Sequence, residues 1–171
     1  PGTDTQLHEF AFPRQRRADG LSLADFVARP NGHRDSMALL CVTAGEGIRE
    51  RSERYRARGE YFRSHAIQAL AIETAEATAE WVHRRIREDW GFADPAGVTM
   101  EDRFRSNYRG RRYSFGYAAC PNLEDQRGLF KLLDPAEIGV TLTDGDMMDP
   151  EASVSALVFQ HPDCIYFDVN S

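Results

Sequence analysis

The sequence predicts an α+β fold, a single domain in which long helices pack around a bent, mainly antiparallel β-sheet. Residues 48–89 follow an almost continuous helical pattern, in which Gly59 is the one weak point. Residues 37–42 form an apolar run of strand length, and residues 153–159 alternate as a strand does. The chain has 171 residues, of which 42% are hydrophobic, so it can bury one sizeable core.

The first predicted elements are an arm, a short helix and a strand. Residues 1–20 contain prolines and an Asp-Gly pair with little periodicity, and we expect them to form an extended arm. Ser22 is a helix-capping residue type, and it precedes a short helix that Pro30 would stop. The apolar run at residues 37–42 is expected to be a buried central strand.

The long helical region is expected to face the core with an apolar stripe at three- and four-residue spacing. Its members are Ala71, Ala75, Thr78, Val82 and Ile86. A second face carries Glu73, Glu76, Glu80 and Arg84. Most acidic lines of this kind are solvated ladders, whose favourable pairs contribute about 0.2–0.5 kcal/mol each.

Shorter helices are predicted after a loop at residues 91–98. Thr99 is a capping residue type and is expected to begin the first of them. Two more are predicted at residues 124–133 and 135–139, where leucines and a Pro-Ala-Glu-Ile turn follow helical spacing.

The chain is expected to end in a β-hairpin. Residues 153–159 place three small apolar side chains on one face and serines among the others, which predicts a half-buried strand. Residues 166–169 are aromatic and apolar, and we expect them to form the partner strand across a turn at residues 161–164.

The charge of the chain disfavours nucleic acid as a partner. The net charge is −6 and the pI is near 5.4, whereas neutralising phosphates requires a basic face. The charge is unevenly spread, because residues 103–112 hold five arginines and no acid, and residues 120–171 hold ten acids against two bases. This contrast indicates an anionic ligand or a charged partner surface; a solvated arginine face remains the alternative.

Several kinds of chemistry lack their motifs. The histidines and cysteines show no metal-ligand spacing, and Asp144-x-Asp146 is not followed by the later ligands of a calcium loop. Ser155 has no nucleophile elbow, and Gly45-x-Gly47 lacks the third glycine of a phosphate-binding loop. We therefore predict no metal site and no catalytic residue.

The predicted location is the cytoplasm. Three cysteines without a C-x-x-C pair or a signal peptide fit a reducing compartment. No apolar run approaches the length of about 20 residues that crosses a bilayer, so no membrane association is expected.

The most informative motif is Arg112-Tyr113-Ser114-Phe115-Gly116-Tyr117, followed by Ala-Ala-Cys-Pro. An arginine fork matches a carboxylate bidentately, and a glycine lets the backbone approach a ligand closely. This segment therefore favours an amino-acid or nucleotide-like ligand, with Glu76 and Tyr166 as further candidates. The residues alone leave the ligand unidentified.

The chain resembles the C-terminal activation (reactivation) domain of cobalamin-dependent methionine synthase, which binds S-adenosylmethionine. Most of the chain follows the order of that family without a large gap. The resemblance is carried by Asn107-Tyr108-Arg109-Gly110, the Arg112 and Gly116-Tyr117 signature, Ala119-Cys120-Pro121, Ala152-Ser153-Val154-Ser155 and His161-Pro162-Asp163.

The resemblance implies that Arg112 holds the methionine carboxylate of S-adenosylmethionine, and that aromatic faces and an acid surround the cationic sulfonium. The implied binding residues are Arg112, Ser114, Gly116, Tyr117, Tyr166, Phe167 and Glu76. The chain departs from the family pattern where Phe167 replaces a second tyrosine and Ile72 replaces a helix acid.

The function implied is reactivation of cobalamin-dependent methionine synthase, by reductive methylation of cob(II)/cob(I)alamin with S-adenosylmethionine. Cobalamin would be bound by a partner domain of the same polypeptide, and flavodoxin or an equivalent donor would supply the electron. Zinc would belong only to the homocysteine domain of the parent methyltransferase. The alternative is a non-catalytic module that senses S-adenosylmethionine or docks a partner.

The domain is expected to be incomplete. The chain opens with Pro1, and the family domain extends further upstream, where an acidic residue meets the amino group of the ligand. We therefore expect residues 1–171 to be a partial activation domain that lacks its N-terminal part.

Overall fold

The computed structural model describes residues 5–29 and 35–170. Pro30, which was expected to stop the first helix, and the first four residues of the arm lie outside these residues. The helices are α1 (Ile48–Ala57), α2 (Tyr61–Asp89), α3 (Met100–Phe104) and α4 (Gln126–Leu133), with short 3-10 helices at Leu23–Phe26, Leu123–Asp125 and Pro135–Ile138. The strands are β1 (Met37–Thr43), β2 (Arg111–Tyr113), β3 (Thr141–Leu142), β4 (Met148–Asp149) and β5 (Ser153–Phe159).

Three strands form the main sheet in the order β1-β5-β2, and all their pairings are antiparallel. β5 is therefore the central strand. The prediction that residues 37–42 form a buried central strand was wrong, because among the described residues β1 pairs with a strand on one side only, and of that run just Leu40 and Val42 are buried. β3 and β4 form a separate two-stranded sheet. The α+β prediction with a mainly antiparallel sheet is confirmed.

The predicted C-terminal hairpin is wrong. Both edges of β5 are occupied by β1 and β2, so no edge is left for residues 166–169, which have no strand structure. The half-buried prediction for β5 is also wrong, since all seven of its residues are buried. Ser155 is tolerated there because its hydroxyl donates to Gln126 Oε1 at 2.8 Å, which satisfies the buried polar group.

The helical region of residues 48–89 breaks where the sequence predicted a weak point. Gly59 adopts φ +76°, a left-handed conformation that glycine reaches without strain, and it separates α1 from α2. Ser22 and Thr99 both form capping boxes, as their residue types indicated. The buried line of α2 follows four-residue spacing through Ala71, Ala75, Ala79, His83 and Arg87.

The sheet has two faces with different cores. On one face, which we call the helix face, Val154, Ala156 and Val158 of β5 pack against the alanines of α2. On the other, which we call the aromatic face, Leu157 and Phe159 pack with Tyr113, Phe26 and other rings. Within the described residues, no helix has the length and apolar character needed to cross a membrane.

Candidate functional site

Strand β2 places neighbouring side chains on opposite faces of the sheet. Arg112 pairs with Val158 and therefore lies on the helix face, whereas Tyr113 pairs with Leu157 and lies on the aromatic face. Arg112 extends towards α2, where its Nη1 donates to Glu80 and its Nη2 lies 3.6 Å from Glu76. The arginine of the sequence motif is thus held between a short strand and the long helix.

Six of the seven predicted site residues line one cavity of about 300 Å³. They are Glu76, Arg112, Ser114, Tyr117, Tyr166 and Phe167. They come from α2, from β2 with the turn that follows it, and from the segment after β5. The cavity therefore forms where three separate parts of the chain meet.

Gly116 is the predicted residue that does not line this cavity. It adopts φ +84° and begins a tight turn, in which its N–H donates to the Cys120 carbonyl at 3.0 Å and the Cys120 N–H donates to Tyr117 at 2.9 Å. A Cβ at this position would lie 3.2 Å from the Leu123 side chain. Gly116 thus shapes the turn that presents Tyr117, whose residue surface is 70% exposed.

The segment after β5 is held in place without a strand ladder. The Tyr113 hydroxyl donates to the Ile165 carbonyl at 2.7 Å, and the Val169 N–H donates to the Ala118 carbonyl at 3.1 Å. The Tyr166 ring then stands edge-on to Tyr113, with ring centroids 5.5 Å apart. These contacts bring Tyr166 and its neighbour Phe167 to the cavity. The hairpin prediction had placed both residues on a strand.

Two polar side chains that line the cavity, those of Ser114 and Cys120, are uncharged and make hydrogen bonds within the protein. The Ser114 hydroxyl donates to the Ser155 carbonyl at 2.7 Å, and the Cys120 thiol donates to the Ser114 carbonyl at 3.1 Å. Burial raises the pKa of Cys120 to about 12. The thiol is therefore protonated at neutral pH and is a hydrogen-bond donor rather than a nucleophile.

Among the described residues, Arg112 is the one base that lines the cavity, and Glu76 is the one acid. The Arg112 side chain is 19% exposed, and Glu76 is 51% exposed. Burial alone would lower the pKa of Arg112, but the hydrogen bond and charge of Glu80 outweigh it, so the pKa lies above its ordinary value. The cavity thus offers a permanently charged guanidinium beside a half-exposed carboxyl group.

Sequence reasoning missed the charged cluster behind Arg112. Glu80 is only 16% exposed and accepts a hydrogen bond from the Tyr108 hydroxyl at 2.9 Å. Arg87, 1% exposed, donates through Nε and Nη2 to Asp94 at 2.7 and 2.8 Å. Glu80 was expected to belong to a solvated acidic ladder. The four-residue spacing from Glu76 to Glu80 places both acids on one face of the helix, but it does not indicate that Glu80 is buried.

His83 lies within the same cluster as a neutral ring. It is fully buried and stands edge-on to Tyr108, with centroids 5.3 Å apart. Burial, reinforced by the charges of Arg87 and Arg112, lowers the pKa of His83 to about 3. The imidazole therefore carries no charge at neutral pH.

Neither a cluster of metal ligands nor a further cavity extends this site within the described residues. Among residues 5–29 and 35–170, no three His, Cys, Asp or Glu side chains come together as metal ligands could. A second cavity, of about 410 Å³, lies between α1 and α2. It contains none of the predicted binding residues, and its inner end is closed by hydrogen bonds among Ser52, Ser64 and Gln68.

The arrangement of the sheet and the long helix matches that of a solved reactivation domain. A solved structure described as the MetH reactivation domain bound to AdoHcy superposes with a TM-score of 0.88 and 34% identity. The match covers 92% of this chain and 51% of that one. The chain belongs to the family of the vitamin B12 dependent methionine synthase activation domain, whose model matches residues 3–171.

The chain is also similar in sequence to part of two curated methionine synthases. The methionine synthase of Mycobacterium tuberculosis (strain ATCC 25618 / H37Rv) is 37% identical over 173 residues, which is 95% of this chain. The methionine synthase of Mycobacterium leprae (strain TN) is 37% identical over 183 residues, or 96% of this chain. The chain spans 14% of the length of each relative.

Proposed function

We propose that this chain binds S-adenosylmethionine in the cavity beside Arg112 and presents its methyl group for reductive methylation of cobalamin. In this role it reactivates a cobalamin-dependent methionine synthase. The observation that carries the proposal is that six of the seven residues implied by the family resemblance, from three separate parts of the chain, line one cavity. The AdoHcy-bound neighbour supports the same ligand class.

Arg112 has the chemistry to hold the carboxylate of the methionine end. Its Nη1 is engaged by Glu80, whereas its Nη2 lies 3.6 Å from Glu76, beyond hydrogen-bond distance. Because Glu76 is half-exposed, a ligand carboxylate can displace it at little cost. The guanidinium then keeps one protein carboxylate and gains the carboxylate of the ligand.

The rest of the cavity suits the remainder of the ligand. Tyr117, Tyr166 and Phe167 offer aromatic faces, which stack on an adenine ring or contact a cationic sulfonium. Glu76, once released from Arg112, supplies a negative charge near that cation. A ligand with one anionic end and one positive centre therefore matches the two charges that line the cavity.

Bound S-adenosylmethionine would supply the methyl group, and a cobalamin carried by another domain of the polypeptide would receive it. The transfer moves no proton on this chain, so its residues need no general acid or base. Their work is to bind, orient and exclude water, and orientation alone can contribute several kcal/mol to such a step.

The same proposal includes partners outside this chain. We assign cobalamin binding to a separate domain of the parent enzyme and electron supply to flavodoxin or an equivalent donor. Zinc would be confined to the homocysteine domain. The exposed rings of Tyr117 and Tyr166 leave the cavity open on one side, as docking of a cobalamin domain requires.

Thermal unfolding with and without ligand tests the proposal. Saturation at 100 times Kd stabilises a folded protein by about 2.7 kcal/mol, which raises the melting temperature measurably. S-adenosylmethionine should produce this shift, whereas adenosine or methionine alone should produce much less. No shift with S-adenosylmethionine would contradict the proposal. If the shift occurs but no cobalamin is methylated in a mixture with a cobalamin domain and a reductant, the chain is a sensing module.

A further inference from the structure

We propose that Glu80 is a positioning residue for the ligand site, which holds the Arg112 guanidinium where a ligand carboxylate can meet it. The inference rests on the proposed function for the identity of the ligand, but it concerns a residue outside the predicted binding set. It predicts that Glu80 contributes to affinity for the amino-acid end of the ligand without touching the ligand.

The first step of the argument concerns the reach of Arg112. Arginine has a long side chain with several rotatable bonds, and its fork gives affinity only when it is held in one orientation. β2 has three residues and fixes only the backbone of Arg112. The orientation of the guanidinium must therefore come from its side-chain partners on α2.

Glu80 is the partner with the geometry to do this. Its Oε2 accepts from both Arg112 Nη1 and the Tyr108 hydroxyl, and its side chain is 16% exposed. Glu76, one helical turn earlier, is 51% exposed and lies 3.6 Å from Nη2. The inner acid is fixed by two hydrogen bonds, whereas the outer acid makes no hydrogen bond to Arg112.

A second set of contacts holds Glu80 from behind. Arg87 Nη2 lies 3.9 Å from Glu80 Oε1, and the Arg87 guanidinium stacks 3.8 Å from the centre of the Tyr108 ring. Arg87 is anchored in turn by its bidentate contact with Asp94. Charges of alternating sign thus run from the cavity into the interior, and each one limits the movement of the next.

Removal of the Glu80 charge has two opposing consequences for a ligand carboxylate. It relieves competition for Arg112, which strengthens binding, and it frees the guanidinium to move towards the exposed Glu76, which weakens binding. We expect the second to dominate, because Arg112 offers further N–H donors beyond the one engaged by Glu80. Glu80 therefore takes little from the ligand while it fixes the direction of those donors.

Calorimetric titration of Glu80→Gln with two ligands tests the inference. S-adenosylhomocysteine has an amino-acid carboxylate, and 5′-methylthioadenosine keeps the adenosine and thioether but lacks that carboxylate. Glutamine can still accept from Tyr108, and a circular dichroism melt checks that the variant is folded. We expect about 10-fold weaker binding of S-adenosylhomocysteine, as for other coupled charge pairs, and unchanged binding of 5′-methylthioadenosine.

Two comparisons make the result specific. Glu73→Gln removes an exposed charge from the same helix and should change neither affinity. In an Arg112→Ala background, Glu80→Gln should have no further effect on S-adenosylhomocysteine. Equal weakening of both ligands, or unchanged or tighter binding of S-adenosylhomocysteine, would overturn the inference.

A ligand-free measurement separates this inference from the proposed function. The Arg112 guanidinium protons should exchange slowly in nitrogen-15 NMR spectra of the unsubstituted protein and of Glu73→Gln, and rapidly in Glu80→Gln. Equal exchange in all three would show that Glu80 does not hold Arg112. If slow exchange is observed but the protein binds neither ligand, the proposed function fails while the contact stands.

Discussion

The two faces of the central sheet are built from different materials. On the aromatic face, Leu157 and Phe159 pack in a buried apolar cluster with rings such as Tyr113 and Phe26. On the helix face, the alanines of α2 are followed one turn later by neutral His83 and two turns later by buried Arg87. The aromatic face therefore stabilises the fold, whereas the helix face also holds the charged side chains that contact Arg112 at the cavity.

Phe159→Ala should give the largest loss of stability, on the aromatic face. The ring is 2% exposed and is packed by Phe12 and Tyr113. Its removal leaves a cavity, and we expect the free energy of unfolding to fall by about 3–5 kcal/mol in urea denaturation. Phe104→Ala is the control, because that ring is 80% exposed and should change stability by less than about 0.5 kcal/mol.

Asp94→Asn should have the next largest effect, on the charged cluster beyond the helix face. The hydrogen bond from Arg87 holds the pKa of Asp94 below its ordinary value, so the carboxylate is ionised and paired. Neutralising it leaves Arg87 buried without its main partner, at a cost of about 3 kcal/mol in denaturation experiments. Asp89→Asn, at an exposed pair with Arg85, should cost little. Similar losses for the two variants would contradict the distinction.

The pH dependence of stability should report His83, with a smaller effect. The pKa of about 3 in the folded state lies below that of an unfolded histidine, so the unfolded chain binds the proton first as pH falls. Stability should therefore be constant above pH 6.5 and should fall by about 2 kcal/mol at pH 5. The surrounding charges are Arg87, Arg111, Arg112 and Asp94.

Urea denaturation at pH 7 and pH 5 measures this slope. Carboxylates with lowered pKa values add to acid sensitivity mainly below pH 4, where an unfolded Asp gains its proton. His83→Phe should abolish the loss between pH 6.5 and pH 5, while substitution of exposed His65 by Gln should retain it. A slope that survives in His83→Phe would assign the effect to other groups.

The helix boundaries were the more predictable parts of the molecule. Gly59 and Thr99 mark a helix break and a helix start through local backbone chemistry, which sequence carries directly. The burial of β5 was not predictable from its serines, because Ser155 is satisfied by Gln126, a partner 29 positions away. The prediction of a strand at residues 166–169 was wrong for a similar reason, because β1 and β2, which lie far from these residues in sequence, occupy both edges of β5.

The candidate site divides in the same way. Most of the proposed binding residues cluster in short segments around Arg112 and Tyr166, so a motif could find them. Its supporting charges could not be found, because a buried Arg87 or Glu80 looks in sequence like any solvated charge on a helix. Their burial depends on mutual pairing across 7 to 32 positions of chain separation.

Calorimetric titration of S-adenosylmethionine into Arg112→Ala tests the central claim most directly. Arg54→Ala is the matched control, because Arg54 is exposed and has no ion pair among the described residues. Circular dichroism melts establish that both variants are folded. Loss of a charge-assisted contact should weaken binding by about 10- to 100-fold in Arg112→Ala and leave Arg54→Ala unchanged. Equal affinity of folded Arg112→Ala and the unsubstituted protein would contradict the assignment of this cavity as the S-adenosylmethionine site.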